Sequence, residues 1–232
     1  MPIIYSVVIF IILVIALSTL RTRLVYELSG ASLLLFGSTR PGLILYSILV
    51  LPGTIIHELS HWLTAEILQV RTGPITILPD LNEEESSQRL GSVATAASDP
   101  LRGFLIGIAP FCTGTLILMV LGSLLRDGWA AGWTWWILVL LIYGLIVVGN
   151  SMLISTEDRR SWPITIILTT LVILALKRAG VSIQASSTSW LSTSLLSVNL
   201  ILGVTTGLNL VMIGGSYITR RIVEKMTKRR LR

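Results

Sequence analysis

Apolar runs of about 15–25 residues recur along this chain, and each is close to the roughly 20 residues that a helix needs to cross the hydrocarbon of a bilayer. They fall at about 3–20, 43–69, 103–125, 133–154, 162–176 and 195–218. Of the 232 residues 53% are hydrophobic and only 13% charged, against roughly 25% charged in an ordinary soluble domain. The chain therefore reads as an all-α polytopic membrane protein of about six transmembrane helices. A single membrane-embedded domain covers 1–232, with a basic cytoplasmic tail at about 219–232. Residues 1–20 have no charged start and no A-x-A cleavage site, so they are expected to be a helix of the protein and not a signal peptide.

The stretch LVYELSGASLLLFG at 24–37 is too short and interrupted to cross, and an interfacial or re-entrant piece is expected there. Between the second and third spans, ITIL and SVATA flank an acidic centre containing Glu83, Glu84 and Glu85, a pattern that predicts a small β-hairpin with a solvated tip. The net charge of +6 would point to nucleic acid in a soluble protein. Here the basic residues gather in RRIVEKMTKRR after an apolar span, which fits attraction to anionic lipid, so no nucleic-acid partner is expected. Six spans put both termini on one side. Arg71, Arg89, Arg102, Arg159, Arg160 and the tail outweigh the Lys and Arg residues of the other side, so both termini are expected in the cytoplasm and the protein in the cell membrane as a multi-pass chain. Trp129, Trp133, Trp135 and Trp136 at a loop and helix start read as interfacial anchors, and the lone Cys112 as a packing residue that excludes an internal disulfide.

Within the second span, PGTIIHELSHWL places His57, Glu58 and His61 among residues built for lipid. Ionisable groups at that depth cost on the order of 2.5–3.5 kcal/mol and are by default functional. Positions four apart on a helix face one another, so His57 and His61, the only histidines of the chain, can hold one ion. Zinc accepts such a pair together with a third protein ligand and a water, and Glu58, next to the first ligand, is placed to take that water's proton. Interhelical packing is the plainer account of the same three residues. The third ligand must come from elsewhere, and the best candidate lies in GNSMLISTEDRR (149–160), where Asp158 follows Asn150 by eight residues.

PGTIIHELSH together with NSMLISTED resembles the site-2 protease class of intramembrane zinc metalloproteases, whose second motif has an Asn eight residues before a metal-binding Asp. The resemblance implies that His57, His61 and Asp158 ligate one Zn2+ per chain and that Glu58 is the general base. It places Asn150 near the substrate and its developing oxyanion. The likeness covers mainly spans two and four, and more loosely GSVATAASDPLRGFLIGIAPFCTG. The class's second motif is Pro-rich and ends in Leu-Asp-Gly, whereas Glu157 precedes Asp158 here and Arg159 follows it. That departure marks a divergent branch and keeps Asp99 and Glu157 as rival third ligands, although Asp99 before Pro100 has the position of a helix cap.

The expected activity is hydrolysis of peptide bonds in transmembrane segments by metal-activated water, near the cytoplasmic leaflet. An unwound substrate segment is expected to pair by β-addition with the strand Ser92, Val93, Ala94, Thr95 and Ala96. Pro52 and Gly53 could loosen the helix for water, with ordinary packing as the simpler role. The alternative is a catalytically silent membrane protein that binds transmembrane partners through the same scaffold. A transporter is disfavoured, since no pair of broken-helix repeats is seen.

Overall fold

The computed structural model describes residues 3–76, 92–96, 98–153, 155, 158, 162–178 and 188–228. In chain order they form α1 (Ile3–Phe36), α2 (Arg40–Ile67), β1 (Thr72–Thr76), β2 (Ser92–Thr95), α3 (Pro100–Ala130), α4 (Trp135–Ser151), α5 (Trp162–Arg178) and α6 (Thr188–Thr227). The architecture is thus six helices with one small antiparallel sheet among the described residues. Four of the helices, α1, α2, α3 and α6, are long and apolar enough to cross a membrane, while α4 and α5 are shorter apolar helices. This is a membrane protein by the character of its surface as well: Ile11, Ile12 and Ile15 of α1 and Leu200 and Val211 of α6 are exposed, as side chains against lipid must be.

The expected break at 24–37 is absent. Helix α1 continues unbroken to Phe36 and stops only at Gly37, whose φ of +73° a residue with a Cβ rarely adopts. The charged residues at this part of α1 are paired inside the protein. Glu27 is fully buried, bonded to Arg23 at 2.7 Å and to Arg220 of α6, and Arg220 in turn holds Glu224 at 2.7 Å. A charge that has found its counter-charge does not need water, so the helix need not stop.

Helices α1 and α6 run side by side in the same direction. Asn199 Nδ2 donates to the Ser6 carbonyl at 2.8 Å and Arg220 Nε donates to Glu27, two contacts with the same sequence separation of 193 residues. In a pair of parallel spans, the start of the first and the end of the second lie on opposite faces. The two contacts taken together, Asn199 on Ser6 and Arg220 on Glu27, fix this parallel register.

The site-bearing helices pack closely. Tyr143 of α4 donates to the Leu49 carbonyl of α2 at 2.8 Å, and a Cβ on Gly53 would stand 2.6 Å from the Val147 carbonyl oxygen. Gly53 therefore lets α4 approach α2, while α2 itself continues through Pro52 without ending. Helices α3 and α4 are joined by a tight turn in which Gly132 has φ +66° and Trp133 N donates to the Gly128 carbonyl at 2.8 Å. The core between these elements and α1 and α6 is apolar, with Leu17, Leu118, Leu145, Val148 and Leu202 at its centre.

The hairpin is present, beginning earlier than expected on its first strand. β1 and β2 pair Thr72 with Thr95, Ile75 with Val93 and Thr76 with Ser92, with an irregularity between Thr72 and Ile75. Pro74 lies in that interval and has no N–H to give the ladder. Ala96 N extends the pairing to the Arg71 carbonyl at 2.9 Å. Ile77, Leu78 and the acidic centre with Glu83, Glu84 and Glu85 lie outside the described residues.

Candidate metal centre

Helix α2 carries His57 and His61 on one face, with Glu58 and His61 buried. Their ring nitrogens converge, His61 Nε2 standing 3.2 Å from His57 Nε2. The third group arrives from α4. That helix ends at Ser151 with Met152 as its C-cap, and beyond it Ser155 and Asp158 bond to one another, with Asp158 standing against α2. Asp158 Oδ1 lies 3.1 Å from His61 Nε2, and Oδ2 lies 3.8 Å from His57 Nε2. Among the described residues, His57, His61 and Asp158 are the group of His, Cys, Asp or Glu side chains that could hold an ion, their ligand atoms all within 4.8 Å of one another.

Two neighbours aim these groups. His61 Nδ1 is 2.8 Å from the Ile106 carbonyl of α3, an oxygen that can only accept, so Nδ1 is the donor and Nε2 is turned toward the site. Ser155 N donates to Asp158 Oδ2 at 2.7 Å, and Asp158 N donates to Ser155 Oγ at 3.1 Å. Burial alone would raise the Asp158 carboxyl. Its bonds with His61 and Ser155 outweigh that and hold it below the usual carboxylate range.

The donor set fits a zinc ion. With Nδ1 of His61 committed to a backbone carbonyl, a neutral imidazole presents a lone pair at Nε2 to a second imidazole nitrogen and to a carboxylate oxygen. Acceptors facing one another need either an added proton or a cation between them. In a tetrahedral site with bonds of about 2.0–2.1 Å, neighbouring ligand atoms stand roughly 3.3 Å apart. His61 Nε2 stands near that spacing from both His57 Nε2, at 3.2 Å, and Asp158 Oδ1, at 3.1 Å, while with one ligand atom per residue the three lie within 4.8 Å of one another. Two imidazoles and one carboxylate would leave a fourth position of a tetrahedral site open.

Of the rival ligands, Asp99 is spent on α3. Its carboxylate accepts from Leu101 N at 3.1 Å and Arg102 N at 3.0 Å and pairs with the Arg102 guanidinium at 3.2 Å. Glu157 lies outside the described residues. We expect Asp158→Asn to weaken zinc binding far more than Asp99→Asn, which should cost only a helix cap of about 1 kcal/mol. Zinc affinity of the two variants, read by competition with a chelator, checks the order. The reverse order would move the third ligand to Asp99.

Asn150 is buried on α4, its Nδ2 donating to the Ile146 carbonyl at 2.7 Å and its Oδ1 without a hydrogen-bond partner. In β2, Val93 is half-buried and Ala94 and Thr95 are exposed, as is Ala96 just past its end. Sequence reasoning missed Ile106, since every residue has a carbonyl and nothing marks the one that orients an imidazole. It also passed over Ser155, whose Ser-x-x-Asp spacing to Asp158 is the local signal that could have found it. Compared with known proteins, the chain matches no family model, no curated protein and no solved structure.

Proposed function

We propose that the protein is an intramembrane zinc metalloendopeptidase, akin to the site-2 proteases, that cuts peptide bonds in transmembrane segments of other membrane proteins. The observation that carries this reading is the convergence of His57, His61 and Asp158 from two separate segments beside the buried carboxyl group of Glu58. A purely packing role for two histidines does not account for the returning carboxylate.

His57, His61 and Asp158 would hold one Zn2+ per chain, which when bound supplies Lewis-acid chemistry, polarising a peptide carbonyl and activating water. The protein's own groups do the rest. The Ile106 carbonyl and Ser155 keep His61 and Asp158 aimed. Glu58 acts as general base toward the attacking water and passes the proton to the leaving amine nitrogen. Asn150, at the end of α4, would face the substrate backbone, its free amide oxygen able to accept from a main-chain N–H while Nδ2 stays bonded to the Ile146 carbonyl.

Cleavage needs an extended substrate, because a helical segment keeps its amides bonded internally. In the two-stranded sheet, the edge of β2 away from β1 has no strand beside it among the described residues. The segment Ser92 to Ala96 there offers main-chain pairing to an unwound segment without demanding one sequence. The bilayer is the working medium, and anionic lipid is the partner of the basic tail.

Metal analysis of protein purified in detergent tests the reading. About one zinc per chain, lost in His57→Ala, is the expected result. A folded, active protein without metal would remove the enzyme proposed here.

A further inference from the structure

One residue past the carbonyl that aims His61, α3 presents Gly107 to the Asp158 turn. A Cβ built on Gly107 would fall on the main-chain carbonyl oxygen of Asp158 and stand 3.1 Å from its carbonyl carbon and 3.5 Å from its Cα. The obstacle is backbone, which has no alternative rotamer to adopt, so the turn itself would have to move. Gly42 and Gly53 also meet backbone carbonyl oxygens, at 2.6 Å, but at Gly107 the backbone met is that of Asp158 itself. Gly203, Gly207, Gly214 and Gly215 of α6 meet nothing within 4 Å.

We infer that Gly107 is a positioning residue for the third metal ligand: its missing side chain lets the Asp158 backbone seat on α3, which brings the carboxylate to His61. This rests on the reading of Asp158 as a ligand. Ser155 shapes the turn by local bonds, and α3 seats it. Ile106 and Gly107 therefore act as neighbours on one helix, the first orienting the imidazole through its carbonyl and the second admitting the loop that completes the set. A methyl group at 107 displaces the turn by on the order of 1 Å, beyond the roughly 0.5 Å within which a catalytic constellation has to be held.

The test reads the contact between Asp158 and His61 first without metal. Because the chain has 2 histidines, 15N-histidine labelling in detergent micelles yields two imidazoles, assigned with His57→Gln. In metal-free protein at one fixed pH, Gly107→Ala is expected to move the His61 Nε2 resonance in the direction that Asp158→Asn moves it. In zinc titrations, the same variant should lose about 10–100-fold in affinity. Gly107→Ala combined with Asp158→Glu, whose longer side chain reaches back across the displaced turn, should recover part of that loss.

Two controls separate positioning from packing. Gly203→Ala should leave both readouts unchanged. Gly42→Ala, which sets a Cβ 2.6 Å from the Leu28 carbonyl oxygen away from the site, should lower the melting temperature without moving the His61 resonance. A Gly107→Ala protein that fails to fold, or that only melts earlier as Gly42→Ala does, overturns the inference, since packing then explains the glycine. An unmoved His61 resonance with wild-type zinc affinity overturns it too, and leaves the proposed enzyme standing. A moved resonance in a protein whose wild type binds no zinc supports the seat and removes the enzyme alone.

Discussion

Glu58→Gln is expected to keep about one zinc per chain and to lose cleavage by about 10²–10⁴-fold, the usual contribution of a positioned general base. The substitution keeps the size of a side chain that is buried in α2, so the helix and the two imidazoles stay in place. What it removes is the ability to accept a proton. An amide in that position can still bond to water, but it cannot take the proton that the attack releases. Metal content by mass spectrometry and cleavage of a reporter transmembrane segment in detergent or liposomes give the two readings. Loss of cleavage with zinc retained separates an enzyme from a silent binding protein, which has no use for a base beside its first ligand. Undiminished cleavage by Glu58→Gln would take the general base away from this residue.

Arg220→Ala is expected to destabilise the fold by about 3–5 kcal/mol, the usual result of removing one partner from a buried ion pair. Glu27 is fully buried on α1, and Arg220 of α6 is its buried partner. Without Arg220, Glu27 keeps only Arg23, whose side chain is half exposed, and Glu224 keeps Arg221 at 3.3 Å. A carboxylate stranded between two helices has to be neutralised or hydrated, and either costs the α1–α6 contact. Replacing both partners by leucine should restore part of the stability, because an apolar pair of similar size no longer strands Glu27 and leaves only Glu224, still held by Arg221. Melting temperatures of the single and double variants in the same detergent check this. Equal losses in both would show that packing volume, and not charge pairing, holds α1 to α6.

His57, Glu58 and His61 were legible because an α-helix converts a spacing of four into adjacency on one face, whatever the rest of the chain does. The apolar runs were legible for a related reason. Hydrocarbon satisfies no backbone group, so a run of that length has to be a helix, and six helices are found close to where the runs predict them. The hairpin also followed from local patterning, since short β-type runs on either side of a polar centre pair with each other.

Where the reading erred, it counted charges without their partners. The stretch 24–37 read as too short and interrupted to cross, and only packing against α6 shows that Arg220 neutralises Glu27 within an α1 that runs on to Phe36. The parallel direction of α1 and α6 was invisible for the same reason, because alternation along a chain is a rule about connections and not about which surfaces fit. At the metal centre, spacing supplied the two imidazoles. The distances of Asp158 to them, the aim of His61 by the Ile106 carbonyl and the seat at Gly107 were decided by three segments meeting. Helical periodicity acts over one turn and is written in neighbouring residues. Contacts between distant segments depend on how whole surfaces pack, and no short stretch of the chain records that.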